Sequence, residues 1–257
     1  MTIQVSTSRA GHVGEIRFSN PPYNYACPEL LESIADAIDA MEIDPAVSCI
    51  LLSSEGKSFC AGADLAGDSS LTSGDGMEAI ARLYAQALRM FRRNKPVVSA
   101  VQGAAIGAGL GLALATDFRV ASPAARFSAN FVRLGFHPGF ALTHSLPLLI
   151  GQQKAAWMML SATRVKSDEA LSWGLVDRIS APDDVLDQAR AMATEIAENG
   201  PLALIAVHRT LRMGQADAAE AAMRHEHAQQ SVLKSTDDYA EGVASVFERR
   251  EANFIGR

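Results

Sequence analysis

The stretch from Pro96 to Asp117 constrains the fold of this chain more than any other. It opens with a short β-branched run, Val97 to Val101, which predicts a buried strand. The residues after Gly109 are small or aliphatic and predict a buried helix. Between strand and helix, another backbone or a ligand can come close at four glycines: Gly103, Gly107, Gly109 and Gly111.

The amides at the start of that helix give the turn a chemical use. They carry partial positive charge, which suits an anion or an oxygen that becomes negative during a reaction. The same glycines are equally typical of a tight turn that only packs a strand against a helix. A second stretch favours the first interpretation, because a buried-strand candidate at 47–53 runs into a loop of small residues at 54–65. Two such loops could bring two amides to one oxygen.

Composition places the chain among ordinary globular proteins. Its 257 residues, 48% of them hydrophobic and 20% charged, are enough for one large domain with a sizeable interior. The net charge of −6 argues against nucleic acid as a main partner. Charged residues interrupt every long apolar segment and the N-terminus resembles no secretory signal, so we expect neither a membrane partner nor export. Cys27, Cys49 and Cys60 lack metal-binding spacing and are expected to be reduced thiols of a cytoplasmic protein.

Periodicity predicts strand–helix alternation in the first half of the chain and helices in the second. Strands at 3–7 and 13–18, a helix from Pro28, a strand at 47–53, a Gly-, Ser- and Asp-rich loop at 66–76, a helix at 77–93 and short strands near 118–121 and 126–128 come first. After Gly139 we predict helices at 140–150, 152–161, 167–173, 182–199, 201–213, 216–233 and 237–249, with one strand at 175–179. This pattern is typical of an α/β fold with helical decoration.

Two motifs carry a family resemblance. Phe59 to Leu65 resembles the F-x-A-G-A-D-[IL] element of the crotonase (enoyl-CoA hydratase/isomerase) superfamily, and Ala100 to Asp117 resembles that family's A-x-x-G-x-x-x-G-[GA]-G-x-x-L-x-x-x-x-D. The resemblance continues, in order and with the family's spacing, through Ala125-Arg126-Phe127, Leu134-Gly135, Gly174 to Asp177 and Phe247 to Phe254. It therefore covers nearly the whole chain.

The resemblance implies a ββα spiral core that binds acyl-coenzyme A (acyl-CoA) at 1–195 and a helical region at 196–257 used in trimer assembly. The helices of that region carry long apolar faces, which either the chain's own core or a neighbouring subunit must cover. Their apolar residues include Leu202, Ile205, Val207, Leu211, Val232, Leu233, Val243, Val246 and Phe247. The resemblance thus predicts a homotrimer or a homohexamer.

The resemblance also places the site. Members of the superfamily hold the thioester carbonyl of an acyl-CoA between two backbone amides, and the motif positions assign these amides to Ala61 and Ala108. Ala108 stands where the family usually has glycine, but a backbone donor survives the added methyl group. Further substrate contacts are implied at Lys57, Gly62, Ala63, Asp64, Gly107, Gly109 and Phe131. Coenzyme A enters as part of the substrate, and neither a separate cofactor nor a metal is expected.

Several polar side chains near these motifs have two interpretations each. Lys57 could meet a phosphate of coenzyme A or be merely solvated, and Asp64 could join the chemistry or cap a turn. His137, our candidate for the catalytic proton-transfer group, could instead be a hydrogen-bonded residue of a Pro-Gly turn. His225 and His227 do not share a helical face, which argues against a metal site there.

The chain departs from the family where hydratases carry two catalytic glutamates. Gly111 and Phe131 stand at these positions, and neither can move a proton. We expect Gly111 to leave empty volume and Phe131 to make one wall of the site apolar. Hydration by the two-glutamate mechanism is then unavailable, which favours isomerisation, decarboxylation or C–C cleavage on the acyl-CoA substrates of fatty acid metabolism.

Three classes of function fit these residues. The leading one is a lyase or isomerase of the family that stabilises an enolate at Ala61 and Ala108. The second is a catalytically weak homologue that binds acyl-CoA, and the third is a purely structural oligomer. Detectable coenzyme A binding separates the first two from the third, and turnover separates the first from the second.

Overall fold

The fold was analysed in a computed structural model that describes residues 3–64 and 76–257. Leu65 of the first motif and the predicted loop up to residue 75 lie outside the described residues. The strands are β1 (Gln4–Ala10), β2 (Val13–Ser19), β3 (Cys49–Ser54), β4 (Val97–Val101), β5 (Ala104–Ile106), β6 (Phe118–Ala121), β7 (Arg126–Ser128), β8 (Val165–Lys166) and β9 (Arg178–Ile179). The helices are α1 (Pro28–Ile43), α2 (Gly76–Phe91), α3 (Ala108–Leu114), α4 (Leu142–Ile150), α5 (Gln152–Leu160), α6 (Ser167–Trp173), α7 (Val185–Ala197), α8 (Pro201–Leu211), α9 (Gln215–Leu233) and α10 (Asp237–Glu248). A 3-10 helix, Asn130–Leu134, precedes α4.

Six strands form the main sheet in the order β1-β2-β3-β4-β6-β9. β1 and β2 pair as an antiparallel hairpin, and the later neighbours are parallel. A smaller sheet has the order β5-β7-β8. Because β3 and β4 are parallel neighbours, their carboxyl ends meet at one edge of the sheet. The loop after β3 and the glycine turn after β4 therefore lie side by side, as ligand-binding loops do in parallel sheets.

Both faces of the main sheet are covered, because its central strands are apolar at successive positions. In β3, Ile50 and Leu52 belong to a core shared with α1 and α2. Cys49 and Leu51, which point the other way, pack with residues of α7. The two buried strands that open the key motifs are thus confirmed.

Most predicted elements match the structure within a few residues, including the first hairpin, the helix from Pro28 and the strands at 118–121 and 126–128. The sequence did not predict β5, β8 or the 3-10 helix, and the strand expected at 175–179 is reduced to β9. These elements have two to five residues, too few for a periodic pattern to form.

The C-terminal helices pack partly on their own chain. α9 lies against α2 and α4, and its Ala219 and Met223 belong to the main core. The domain boundary predicted at 195/196 falls inside α7. α8 leaves an apolar face open, with Leu202 85% and Leu211 71% exposed. In the part of the chain that the structure describes, no helix is both long and apolar enough to cross a bilayer.

A buried ionic cluster fastens α8 to the end of the 96–117 unit. The carboxylate of Asp117 accepts hydrogen bonds from Arg93 at 2.6 Å, Arg212 at 3.0 Å and His208 at 3.1 Å. It also accepts one from the backbone amide of Val97 at 2.7 Å. Burial alone would raise the pKa of Asp117, but the positive charges around it hold that pKa far below the ordinary carboxyl value.

Candidate active site

Backbone hydrogen bonds join the two predicted loops. The amide of Cys60 donates to the carbonyl of Ala104 at 2.9 Å, and the amide of Ile106 donates to the carbonyl of Cys60 at 3.0 Å. Gly109 lies directly on that strand, since a Cβ built there would be 1.9 Å from the carbonyl oxygen of Cys60. Residues 60–63 and the turn at 107–109 are therefore held in contact, as the two strand-to-loop motifs predict.

Two side-chain amides fix the loop after β3. Nε2 of Gln102 donates to Oγ of Ser54 at 2.9 Å and to the carbonyl of Ser58 at 3.1 Å. Nδ2 of Asn24 donates to the carbonyls of Glu55 at 2.7 Å and Ser58 at 2.8 Å. Sequence reasoning missed both residues, because an isolated amide side chain has no periodic or motif signal. Lys57 is exposed on this loop.

The amide of Ala108 is available as a donor. Ala108 is the first residue of α3, so its N–H has no carbonyl one turn earlier in the helix to bond to. Gly107 caps the helix with φ of 54° and ψ of −118°, a conformation open to glycine, and its amide is tied to the carbonyl of Ser128 at 2.9 Å. The turn thus presents the Ala108 N–H from a fixed position.

The amide of Ala61 is already used, which corrects its predicted role as the second donor. It donates to the carbonyl of Tyr23 at 3.1 Å. Two residues on, Ala63 pairs with Ala26 in an isolated parallel bridge in which the amide of Ala26 donates to the carbonyl of Gly62 at 2.8 Å. In a parallel bridge only one of the two opposite residues hydrogen-bonds to the other strand. Here that residue is Ala26, so the N–H of Ala63 points away from the strand of Ala26.

Ala63 is accordingly the residue of this loop whose amide faces out. No acceptor for the Ala63 N–H is found within residues 3–64 and 76–257. Gly62 makes the change of direction, since its φ is 89°. A Cβ at Gly62 would be 2.8 Å from the carbonyl oxygen of Ile106, which puts this peptide beside the 107–109 turn. Ala63 and Ala108 therefore present two open amides at this edge of the sheet.

The space beside Gly111 is filled, so the prediction of empty volume there is wrong. A Cβ built on Gly111 would lie 2.5 Å from Cγ of Phe140 and 2.6 Å from Cβ and Cδ1 of the same residue. Phe140 is 1% exposed and belongs to the main core. Its ring therefore occupies the space that any side chain at residue 111 would need, which explains why this helical position is glycine.

Phe131 lies over the glycine turn. It is on the 3-10 helix, and its Cζ is 3.6 Å from where a Cβ of Gly107 would be. Oδ1 of Asn130 is 3.7 Å from the same point. The structure thus puts an aromatic ring and one neutral polar group next to the peptide that precedes Ala108. Sequence reasoning named Phe131 but not Asn130.

His137 is held by its own loop and by α9. Its Nδ1 lies 2.7 Å from the carbonyl oxygen of Pro138, which only accepts, so Nδ1 carries the proton. The ring meets that of His225 edge to face, with centroids 6.2 Å apart. These two contacts tie the ring to its own turn and to α9. Its role in proton transfer stays a prediction.

Asp64 lies in the loop after β3, where its charge acts on Tyr25. Burial, the charge of Asp64 and the neighbouring Tyr23 together raise the pKa of Tyr25. The rings of Tyr23 and Tyr25 meet edge to face at 5.7 Å. The chain that follows Asp64 lies outside the described residues, so the capping role predicted for this side chain stays a prediction.

The buried thiols are not nucleophiles. Burial raises the pKa of Cys60 to about 12 and that of Cys49 also to about 12. Burial likewise raises the pKa of the half-buried Cys27. A thiol attacks as the thiolate, so these groups are inert near neutral pH. Whatever chemistry the site performs must then rest on the backbone amides and the groups around them.

Comparison with known proteins gives one consistent family. The family model for Enoyl-CoA hydratase/isomerase matches residues 8–257. The chain is 34% identical over 231 residues to the crotonyl-CoA hydratase of Syntrophomonas wolfei subsp. wolfei, which covers 89% of this chain and 88% of that protein. It is 33% identical over 232 residues to the 2,3-dehydroadipyl-CoA hydratase of Escherichia coli K12, with 89% of each chain covered. The crystal structure of an enoyl-CoA hydratase/isomerase from Pseudoalteromonas atlantica T6c matches with a TM-score of 0.84 at 28% identity, covering 98% of this chain and 99% of that one.

Proposed function

The chain belongs to the enoyl-CoA hydratase/isomerase family, and from that membership we propose that it acts on acyl-CoA thioesters by stabilising an enolate at the amides of Ala63 and Ala108. The comparisons also confirm the predicted crotonase-like α/β fold with its C-terminal helices. The observation that carries the proposal is the pair of outward-facing amides on two loops that hydrogen-bond to each other. Coenzyme A is part of the substrate in this reading, and Lys57 is the proposed contact for one of its phosphates.

The two donors would act on the thioester oxygen as negative charge develops there. Because both are backbone groups held by the fold, they need no reorganisation during the reaction. One preorganised donor of this kind is worth about 3 kcal/mol of transition-state stabilisation. Ala61, whose amide bonds to Tyr23, would support the loop without touching the substrate.

The surroundings of these amides favour reactions that need little proton transfer. Phe140 fills the space beside Gly111, and Phe131 lies over Gly107. By the family resemblance Gly111 and Phe131 stand where hydratases carry their two glutamates, and neither residue can move a proton. Decarboxylation of a thioester that carries its carboxylate on the α carbon, such as malonyl-CoA, meets this limit. Breaking the bond between the α carbon and the carboxylate releases carbon dioxide and leaves the electron pair of that bond as the enolate. Isomerisation also passes through an enolate but needs a base to remove the first proton.

One proton must still reach the enolate carbon after carbon dioxide leaves. His137 is our candidate for this step, as the titratable side chain of the loop that carries Phe140. Its Nδ1 proton is engaged by the Pro138 carbonyl, which leaves Nε2 to take up a proton from water and deliver it to the enolate carbon. The competing proposal is that the protein is a homologue that binds acyl-CoA without turnover. The apolar character of the site would suit such binding equally well.

The relatives named as hydratases make hydration the activity that an experiment must exclude. The protein would be incubated with crotonyl-CoA, malonyl-CoA and a β-ketoacyl-CoA, and the products followed by mass spectrometry. We expect loss of carbon dioxide or C–C cleavage and very slow hydration, because each missing acid–base group is worth about 10²–10⁴-fold. Hydration at the rate of ordinary hydratases would overturn the proposal.

A further inference from the structure

The loop after the 3-10 helix is held in a strained conformation. Phe140 has a φ of 62° and Ala141 a φ of 56°, although neither is glycine. Side chains with a Cβ rarely adopt this region, and two such residues in succession persist only when their surroundings fix them. The strained pair is the part of the loop that places the Phe140 ring against Gly111.

Glu226 of α9 holds one end of the pair. Its Oε2 accepts a hydrogen bond from the amide of Ala141 at 2.8 Å. Its Oε1 accepts from the amide of Thr143 at 2.9 Å and from the hydroxyl of Thr143 at 2.7 Å. The side chain is fully buried, which raises its pKa, and all three donors come from the loop and the first turn of α4. A buried carboxylate with this set of donors has little freedom to move.

Gln230 and Tyr84 hold the other end. Nε2 of Gln230 donates to the carbonyl of His137 at 2.9 Å, and its Oε1 accepts from the hydroxyl of Tyr84 at 2.9 Å. The Tyr84 hydroxyl also packs against the loop, since a Cβ added at Gly139 would lie 1.7 Å from the hydroxyl oxygen. Glu226 and Gln230 are four residues apart and so share one face of α9.

We propose that Tyr84, Glu226 and Gln230 form a clamp that positions Phe140, and that Phe140 in turn limits the size of the acyl group accepted beside Ala108. The three clamp residues are positioning residues, since they act through the loop. The acyl part rests on the proposed function, whereas the clamp itself is a statement about the fold. Gly111 follows Ala108 by three residues on α3, and the Phe140 ring lies against Gly111, so removing the ring opens space within one helical turn of the open amide.

A stability cycle tests the clamp without any ligand. In Glu226→Gln, one oxygen becomes an NH₂ group that faces an N–H, so at least one bond of the loop is lost. We expect the melting temperature to fall by roughly 3–9 °C. Ala141→Gly relieves the strain at that residue, so the loop has less to gain by relaxing and Glu226→Gln should lower the melting temperature further in that background than in the wild type. An equal fall in both backgrounds would mean that Glu226 only caps α4, and would overturn the clamp.

A matched pair of variants on α9 separates the clamp from a general effect on the helix. Gln230→Leu removes both of its hydrogen bonds, whereas Gln229→Leu makes the same change at an exposed neighbour. We expect the first to lower the melting temperature by several degrees and the second to leave it within about 1 °C. Equal effects would also overturn the clamp.

Binding of acetyl-CoA, octanoyl-CoA and free coenzyme A, measured by calorimetry, tests the acyl limit. Phe140→Ala should improve octanoyl-CoA relative to acetyl-CoA by about tenfold while free coenzyme A binds as before. Glu226→Gln should move the same ratio in the same direction, and adding Ala141→Gly should move it back. An unchanged ratio in both single variants would overturn the acyl limit. A wild-type protein that binds none of the three would overturn the proposed function, while the stability cycle would still decide the clamp.

Discussion

Replacing Gly111 by alanine should destabilise this protein, although a glycine-to-alanine change in an ordinary helix interior stabilises a helix by about 1 kcal/mol. The new Cβ would lie 2.5–2.6 Å from three atoms of Phe140. Overpacking a well-filled core costs about 1–3 kcal/mol, and a buried ring met by three close contacts belongs at the upper end. The two effects leave a net loss of about 2 kcal/mol in the free energy of unfolding.

The ring itself can be removed as the control. Phe140→Ala alone should lose about 3–5 kcal/mol because it leaves a cavity. In that background Gly111→Ala no longer meets the ring and should gain about 1 kcal/mol, so the two sites are coupled by about 3 kcal/mol. Urea unfolding of the wild type, both single variants and the double variant measures this coupling. Additive losses, or a Gly111→Ala protein more stable than the wild type, would show that Phe140 does not occupy this space.

Three further predictions concern other parts of the molecule. Asp117→Asn should lose about 3–5 kcal/mol at pH 7 because it leaves buried arginines unpaired. Since the folded-state pKa of Asp117 is lowered, its contribution to the free energy of unfolding is present above the ordinary carboxyl pKa and is lost as the pH falls. Measured by urea unfolding, the free energy of unfolding of the variant should therefore fall less steeply towards acid pH than that of the wild type. His137→Ala and His137→Gln should each lower kcat by about 10²–10⁴-fold with coenzyme A affinity retained, whereas wild-type turnover in the glutamine variant would identify a turn residue. Sedimentation at micromolar concentration should give a trimer or hexamer that Leu202→Asp with Leu211→Asp shifts towards smaller species, and a wild-type monomer would contradict the proposed assembly.

The strand–turn–helix units were predictable because their determinants are local. A β-branched run followed by glycines and then small residues fixes β4, the turn and α3 with little help from the rest of the chain. The meeting of the two loops followed in turn from the parallel pairing of β3 and β4. The family resemblance rested on the same segments.

The errors arose where distant parts of the chain meet. Ala61 and Ala63 are indistinguishable in sequence, and only the hydrogen bond from Ala61 to Tyr23 shows which amide is taken. The volume beside Gly111 was misjudged because a loop almost thirty residues later fills it. That loop depends on Glu226 and Gln230 of α9, whose contacts no local pattern reveals.

A crystal structure with acetoacetyl-CoA bound would test the central claim most directly. The thioester oxygen is predicted to lie about 2.7–3.2 Å from the amide nitrogens of both Ala63 and Ala108, with the hydrogen bond from Ala61 to Tyr23 intact. A thioester oxygen bound to the Ala61 amide in place of the Tyr23 carbonyl, or one far from Ala108, would contradict it.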